Sequence, residues 1–273
     1  AIPQTGGFSG QLLATGIFAL VMLLPEEQLL SWGWRVPFML SVVLVLVGLY
    51  MRRKLGETPV FQEVQRKQEE EKKNKHIAHD ESPVVQVVRH QWRTILLIMV
   101  LRFAESVPFF MCTVFAVSYA TGTLGVDKQT MLSVVMATCV LAFPMHAIFG
   151  AISDKVGRRP VYIFGALCAA AMAFPFFWLL ESGSFVLMVT GYVLLINIAH
   201  NSINAVQPSF LTELFGPKVR SSGASIGAQP GAIVAGGFTP FLVKGLTAPD
   251  NNNCTLAAHY VLLAALVAAS AAC

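Results

Sequence analysis

Long apolar runs recur along the whole chain, and they leave few folds open to it. Eight stretches, at about 5–24, 35–51, 94–119, 130–152, 161–180, 184–207, 223–245 and 257–273, approach bilayer-crossing length. A hydrocarbon core of ~30 Å demands roughly 20 consecutive apolar residues in helical form. Polar or turn-forming residues separate the runs, so each is a distinct span. The expected fold class is all-α, a polytopic membrane protein. Charged residues make up 12% of the chain, about half the ~25% of a soluble domain. The net charge of +4 is therefore read as a topology signal, and a nucleic-acid partner is not expected.

The basic residues fix the orientation. Arg52, Arg53, Lys54, Arg66, Lys67, Lys72, Lys73, Lys75, Arg89 and Arg93 lie between the second and third spans. The later loops on that side add Lys155, Arg158, Arg159, Lys218 and Arg220, making 15, whereas the opposite side carries only Arg35, Lys128 and Lys244. An excess of Lys and Arg marks the cytoplasmic side, so the 52–93 loop is expected inside and the last span ends inside. Trp32, Trp34, Trp92 and Trp178 all fall at span ends, where amphipathic rings sit at the headgroup level. The expected location is the bacterial inner membrane, with lipid as the surrounding partner.

Residues 53–93 form the one clear break. This segment is densely charged (KQEEEKKNK at 67–75) and holds two helix-start signals, Thr58-Pro59 and Ser82-Pro83; proline is favoured at a first helical position. It reads as a cytoplasmic linker, with 1–52 and 94–273 as helical units on either side. Two spans precede it and six follow, a partition that points to a six-plus-six design lacking its first four helices. Ala1-Ile2-Pro3 brings no initiator methionine, so the chain reads as the later part of a longer protein. Five cysteines (Cys112, Cys139, Cys168, Cys254, Cys273) have no metal-ligand spacing, and no metal is expected.

Residues 150–160 read Gly150-Ala-Ile-Ser-Asp154-Lys155-Val-Gly157-Arg158-Arg159-Pro160 and fall on the cytoplasmic side. Gly157 permits a tight reversal, Asp154 calls for a basic partner or helix N-terminus, and Arg158 and Arg159 can meet anionic headgroups. The segment resembles the G-x-x-x-D-[RK]-x-G-R-[RK] loop of the major facilitator superfamily at every fixed position. Ser31-Trp-Gly-Trp-Arg35-Val-Pro37, continuing to Glu57-Thr58-Pro59-Val-Phe61, is similar to the sixth helix and its exit in the metabolite:proton symporters of that superfamily. Glu213-Leu-Phe215-Gly-Pro217-Lys218-Val-Arg220 is similar to their loop between helices ten and eleven. The resemblance runs from helix five to helix twelve. It implies the facilitator fold and proton-coupled uptake of a small organic solute, such as shikimate or α-ketoglutarate, by alternating access. It also implies that the 150–159 loop, Glu213 and Arg220 act in gating. A proton is the expected coupling ion, no cofactor is expected, and the protein is expected to be a monomer.

Polar groups inside spans are candidate site residues, because a charge at a helix centre costs at least ~2.5 kcal/mol. Arg102 and Glu105 share one face of the third span, with Arg102 roughly 12 Å in at 1.5 Å per residue. Ser106, Phe109 and Thr113 continue that face. One reading makes Arg102 a clamp for a substrate carboxylate and Glu105 the proton-coupling acid; the other makes them a structural ion pair. Asn197, His200, Asn201 and Asn204 share a face of the sixth span, either as solute hydrogen-bonders or as interhelical bonds of ~0.6 kcal/mol each. His146, alone beside Pro144, reads as a packed or kink-capping residue, with a proton relay as the lesser alternative. Gly223, Gly227, Gly231 and Ala235 recur every four residues, a spacing that allows close helix approach. Gly223-Ala-Ser225-Ile-Gly227 matches G-x-S-x-G, but no strand precedes it, so a nucleophile elbow is not expected. An intramembrane enzyme would need paired catalytic groups that the spans lack. A sensor built on a transporter scaffold, or a truncated inactive transporter, stays as the alternative.

Overall fold

The computed structural model describes residues 4–54, 66, 83–215, 220–247 and 254–273. The Thr58-Pro59 start, the 67–75 charge run, residues 216–219 and the side chain of Arg220 lie outside the described residues. Among those described, the fold is helical throughout. We number the apolar helices α1 (Thr5–Val21), α2 (Gly33–Lys54), α3 (Trp92–Gly122), α4 (Lys128–Val156), α5 (Arg158–Met172), α6 (Pro175–Glu181), α7 (Phe185–Glu213), α8 (Ser222–Thr247) and α9 (Thr255–Ala272). Six of them (α2, α3, α4, α7, α8 and α9) are long and apolar enough to cross a membrane. The α5–α6 pair is a seventh candidate, bent by 50° where the sequence reads as one span. Pro175 starts α6; it brings no N–H, so the helical hydrogen-bond ladder is interrupted where the two helices meet. The first apolar run forms the shorter α1, of 17 residues.

The described chain divides into two compact units, one of residues 1–16 with 83–273 and one of residues 17–82. In the smaller, no residue of Val36–Lys54 is buried, and Phe38, Met39, Leu44 and Leu46 are exposed. A helix apolar all round suits a lipid solvent.

In the larger unit two apolar clusters stack along the bundle axis. One gathers Met111, Cys112, Met131, Val134, Phe176, Met188 and Leu195. The other gathers Ile98, Leu101, Phe149, Tyr162, Ile203, Leu211 and Ala268. Along α3, α4 and α7 the polar residues 105–106, 146 and 200–202 fall between the two. Cross-helix bonds fix which ends are neighbours. Tyr119 Oη donates to Glu181 at 3.1 Å, joining the last turns of α3 and α6. At the other pole Arg159 Nε donates to the Ala272 carbonyl, capping the C-terminal end of α9 beside the 154–159 loop.

Three spans leave regular α-helix. α3, α7 and α8 contain π-helical stretches at Met111–Ala116, Val193–His200 and Ile233–Gly237. Pro108 and Pro230 lie three residues ahead of the first and third. A proline removes one helical hydrogen bond, and a wider turn accommodates the strain. A carbonyl inside the first stretch also takes a bond from a neighbouring helix: Tyr192 Oη donates to the Cys112 carbonyl at 2.8 Å.

Candidate functional site

α3 supplies the charged core of the site. Arg102 lies ten residues into the helix, ~15 Å from its start at 1.5 Å per residue. Its Nη1 is 3.0 Å from Glu105 Oε2, as the i, i+3 spacing allows. Glu105 is buried, and both its oxygens accept. Ser106 Oγ donates to Oε2 at 2.8 Å, and Asn204 Nδ2 donates to Oε1 at 3.2 Å from α7. Three donors surround the carboxylate, which is how a buried anion must be held.

α7 adds a residue that the sequence reading passed over. Gln207 is buried, and its Oε1 accepts from Arg102 Nη1. Two donors at this junction have no partner, Arg102 Nε and Gln207 Nε2. The Nε–H is half of the side-on fork with which arginine meets a carboxylate. The signal for Gln207 lies in the spacing, since His200 and Asn204 continue to Gln207 on the same helical face.

The other predicted residues separate into distinct roles. His200 Nδ1 lies 3.0 Å from the Glu105 backbone carbonyl, and its ring stacks on Phe109 at 5.2 Å. Phe8 of α1 meets Phe109 edge-on at 6.4 Å, and both line a small apolar cavity with Thr113, Thr138 and Tyr192. Asn197 and Asn201 turn the other way. Asn197 Nδ2 donates to the Thr138 carbonyl of α4 at 3.1 Å, and Asn197 Oδ1 accepts from Asn201 Nδ2 at 3.1 Å. The structure therefore does not place Asn197 beside Arg102 and Glu105; the π-helical stretch ending at His200 shifts the register within the face. Asn201 Oδ1 is buried without a partner. Thus Asn204, His200 and Gln207 join Arg102 and Glu105, while Asn197 ties α7 to α4. His146 also enters, with Nε2 at 3.0 Å from Asn204 Oδ1.

Glycines let α8 back this site. A Cβ on Gly227 would meet Ile98 at 2.9 Å, and one on Gly231 would meet Met99 Cα at 2.9 Å and the Arg102 stem at 3.0 Å. Gly223 instead faces the Phe215 ring at the end of α7. Gly165 of α5 was not singled out by spacing, yet a Cβ there would strike Ser202 and the Ala199 carbonyl of α7.

At the α4–α5 turn, Gly157 has φ 100° and ψ 160°, a conformation open almost only to glycine. Asp154 Oδ1 is 2.6 Å from Arg158 Nη2, and Arg158 Nη1 donates to Ser153 Oγ. Gly150 is buried, and Lys155 and Glu213, the latter at the end of α7, are exposed. Among the described residues no group of three His, Cys, Asp or Glu side chains could hold a metal.

The apolar helices thus enclose a polar site in which two donors, Arg102 Nε and Gln207 Nε2, are left without partners. The family profile described as Major Facilitator Superfamily matches residues 5–240, and the chain belongs to that family. It is 36% identical to the shikimate transporter of Escherichia coli K12 over 270 residues, which is 98% of this chain and 60% of that protein. It is 27% identical over 263 residues to the glycine betaine/proline/ectoine/pipecolic acid transporter OusA of Dickeya dadantii, 96% of this chain and 52% of that one. A putative proline/betaine transporter of Staphylococcus aureus COL is 30% identical over 264 residues, 96% of this chain and 54% of that one. The chain thus spans between about half and three-fifths of these relatives. No solved structure matches. The family and the relatives are transporters, not enzymes, and bacterial relatives together with the six apolar helices described in this chain fit a multi-pass inner-membrane protein.

Proposed function

We propose that this chain is the helix-five-to-twelve portion of a proton-coupled secondary transporter whose solute is a small organic acid of the shikimate or α-ketoglutarate kind. The observation that carries the reading is the pair of buried, unpartnered donors, Arg102 Nε and Gln207 Nε2, beside a fully bonded Glu105. A solute carboxylate accepts from both. A hydrogen bond to a charged group contributes about 1.5–3 kcal/mol, so each of the two bonds of the clamp is worth roughly 10–150-fold in affinity. The shikimate transporter of Escherichia coli, at 36% identity, supports an organic acid over a zwitterion.

Glu105 is the coupling acid in this reading. Its carboxylate holds Arg102 Nη1; proton binding to Glu105 neutralises it and frees Arg102 for the solute. Coupling arises because solute and proton bind the outward and inward states unequally. Residues 53–93 link two six-helix bundles, and helices one to four of the parent complete the first bundle. The protein acts as a monomer in lipid, and the 150–159 loop, with Glu213 and Arg220, gates its movement.

The test is uptake of radiolabelled shikimate, α-ketoglutarate, proline and glycine betaine by cells expressing the gene that encodes this chain. Acid-gradient-dependent accumulation of shikimate or α-ketoglutarate, lost in both Arg102→Ala and Glu105→Gln, is expected. Accumulation that survives both substitutions removes the site, and no uptake of any solute removes the transport reading.

A further inference from the structure

We infer that His146 is a proton-binding site of the bundle, linked to Glu105 through the Asn204 amide. The inference rests on the transport reading only for its functional consequence; the site itself is a matter of hydrogen-bond accounting.

His146 is buried on α4 with no exposed surface. Its Nδ1 lies 3.1 Å from the Ala142 carbonyl oxygen, and its Nε2 lies 3.0 Å from Asn204 Oδ1. The orientation of that amide is fixed at its other end, where Nδ2 donates to the Glu105 carboxylate at 3.2 Å. Both ring nitrogens therefore face oxygens that can only accept. A neutral imidazole has one N–H and one lone pair, and only the imidazolium donates to both. His200 makes the contrast. Its Nδ1 has one acceptor, the Glu105 backbone carbonyl, and a neutral tautomer satisfies it.

Among the described residues, the charged and titratable groups tied to His146 belong to this network, and α5 adds Tyr162, whose hydroxyl donates to the Leu101 carbonyl beside Arg102. From α3 come Glu105, through Asn204, and Arg102 behind it. From α7 comes His200, whose electrostatic environment includes His146. α1 presents the Phe8 ring at 5.1 Å and contains no titratable residue.

The geometry permits two balanced arrangements that differ in where one proton sits. In the first, His146 carries two ring protons and Glu105 is a carboxylate bonded to Arg102. In the second, the proton has left Nε2 and a proton has bound Glu105 Oε1, with water carrying the exchange. The Asn204 amide then turns over, so that Nδ2 donates to the Nε2 lone pair and Oδ1 accepts from the Glu105 hydroxyl. The bonds along His146, Asn204 and Glu105 are kept, the summed charge is unchanged, and Arg102 faces a neutral carboxyl in place of a carboxylate. His146 thus acts as the reservoir whose proton unlocks the clamp.

The experiment is nitrogen NMR of the purified protein labelled with 15N-histidine, in lipid nanodiscs, between about pH 5 and pH 8. His146 is assigned by loss of its signal in His146→Gln or, where that variant does not fold, by removing the other five histidines one at a time. Expected is a signal with both nitrogens protonated at the acid end, passing to a single neutral tautomer at the alkaline end, while His200 keeps one Nδ1–H tautomer. In Glu105→Gln the neutral His146 signal should take a larger share at any fixed pH, because the balancing anion is gone. A single neutral tautomer for His146 at every pH overturns the proposal, as does a response identical in wild type and Glu105→Gln. Neither result depends on uptake. A protein that carries none of the four solutes but shows the doubly protonated ring keeps its proton site and loses only the transport reading.

Discussion

Gly231→Ala is the most direct probe of how the site is held, because one methyl group reaches the Arg102 stem. The new Cβ would lie 2.9 Å from Met99 Cα and 3.0 Å from Arg102 Cβ and Cγ. Carbon atoms prefer about 3.5–4.0 Å, so α8 must withdraw from α3 by roughly 0.5–1 Å. Overpacking of this kind costs about 1–3 kcal/mol, offset by the ~0.5–1 kcal/mol that alanine gains over glycine inside a helix. The net loss of about 0.5–2 kcal/mol corresponds to a fall in Tm of about 1–8 °C for a protein of this size. Gly245→Ala in the same helix is the control, since nothing lies within 4 Å of its added Cβ; it should hold or raise Tm. Unfolding can be followed with a thiol-reactive dye, because Cys112 and Cys139 are free and buried in the folded bundle. If both variants melt at the wild-type temperature, α8 does not pack as closely on α3 as described. The backbone contact at Met99 would then have to be abandoned as the support for Arg102.

Gln207→Leu removes one free donor and the acceptor of Arg102 Nη1; the half-saturation concentration for the transported acid should rise roughly 10-fold, and an unchanged value would remove Gln207 from the solute site. Gly157→Ala forces a Cβ into φ 100° and ψ 160°, costing about 1–3 kcal/mol, read as a lower Tm than that of Gly245→Ala; equal melting would contradict the turn geometry. Arg159→Ala deprives the Ala272 carbonyl of its donor, and amide hydrogen exchange in the last turn of α9 should rise while exchange at the middle of α3 stays unchanged; equal protection of that turn would contradict the cap.

What the sequence disclosed and what it hid follow a physical line. Span positions and sidedness depend on local hydrophobicity and on the charges flanking it, both written directly in the residues. Gly227 and Gly231 were visible because close approach along one helix repeats every four residues. Gly165 follows no such period, and its neighbour, the Ala199–Ser202 ridge of α7, is defined only after folding. The three π-helical stretches were invisible because no residue preference marks them; Pro108 and Pro230 signal strain but not its resolution. This is why a uniform helical face grouped Asn197 with Asn204, whereas in the bundle they address different helices.

His146 was the hardest residue to read, for a reason that also orders the site. A histidine without a charged neighbour in sequence is ordinarily a packing residue, and along α4 it is alone. Its meaning comes from Asn204, an amide with a donor and an acceptor on opposite edges. Asn204 places the donor on Glu105 and the acceptor on His146, so the state of one group constrains the other across three helices. Leucine at position 204 would break that link while leaving Arg102 and Glu105 adjacent on their own helix. Asn204→Leu should therefore abolish the dependence of the His146 signal on Glu105→Gln while retaining the doubly protonated ring less well than wild type. Persistence of the full Glu105 effect in that background would mean that charge alone, acting through space, connects the two groups, and that the amide is only a bystander.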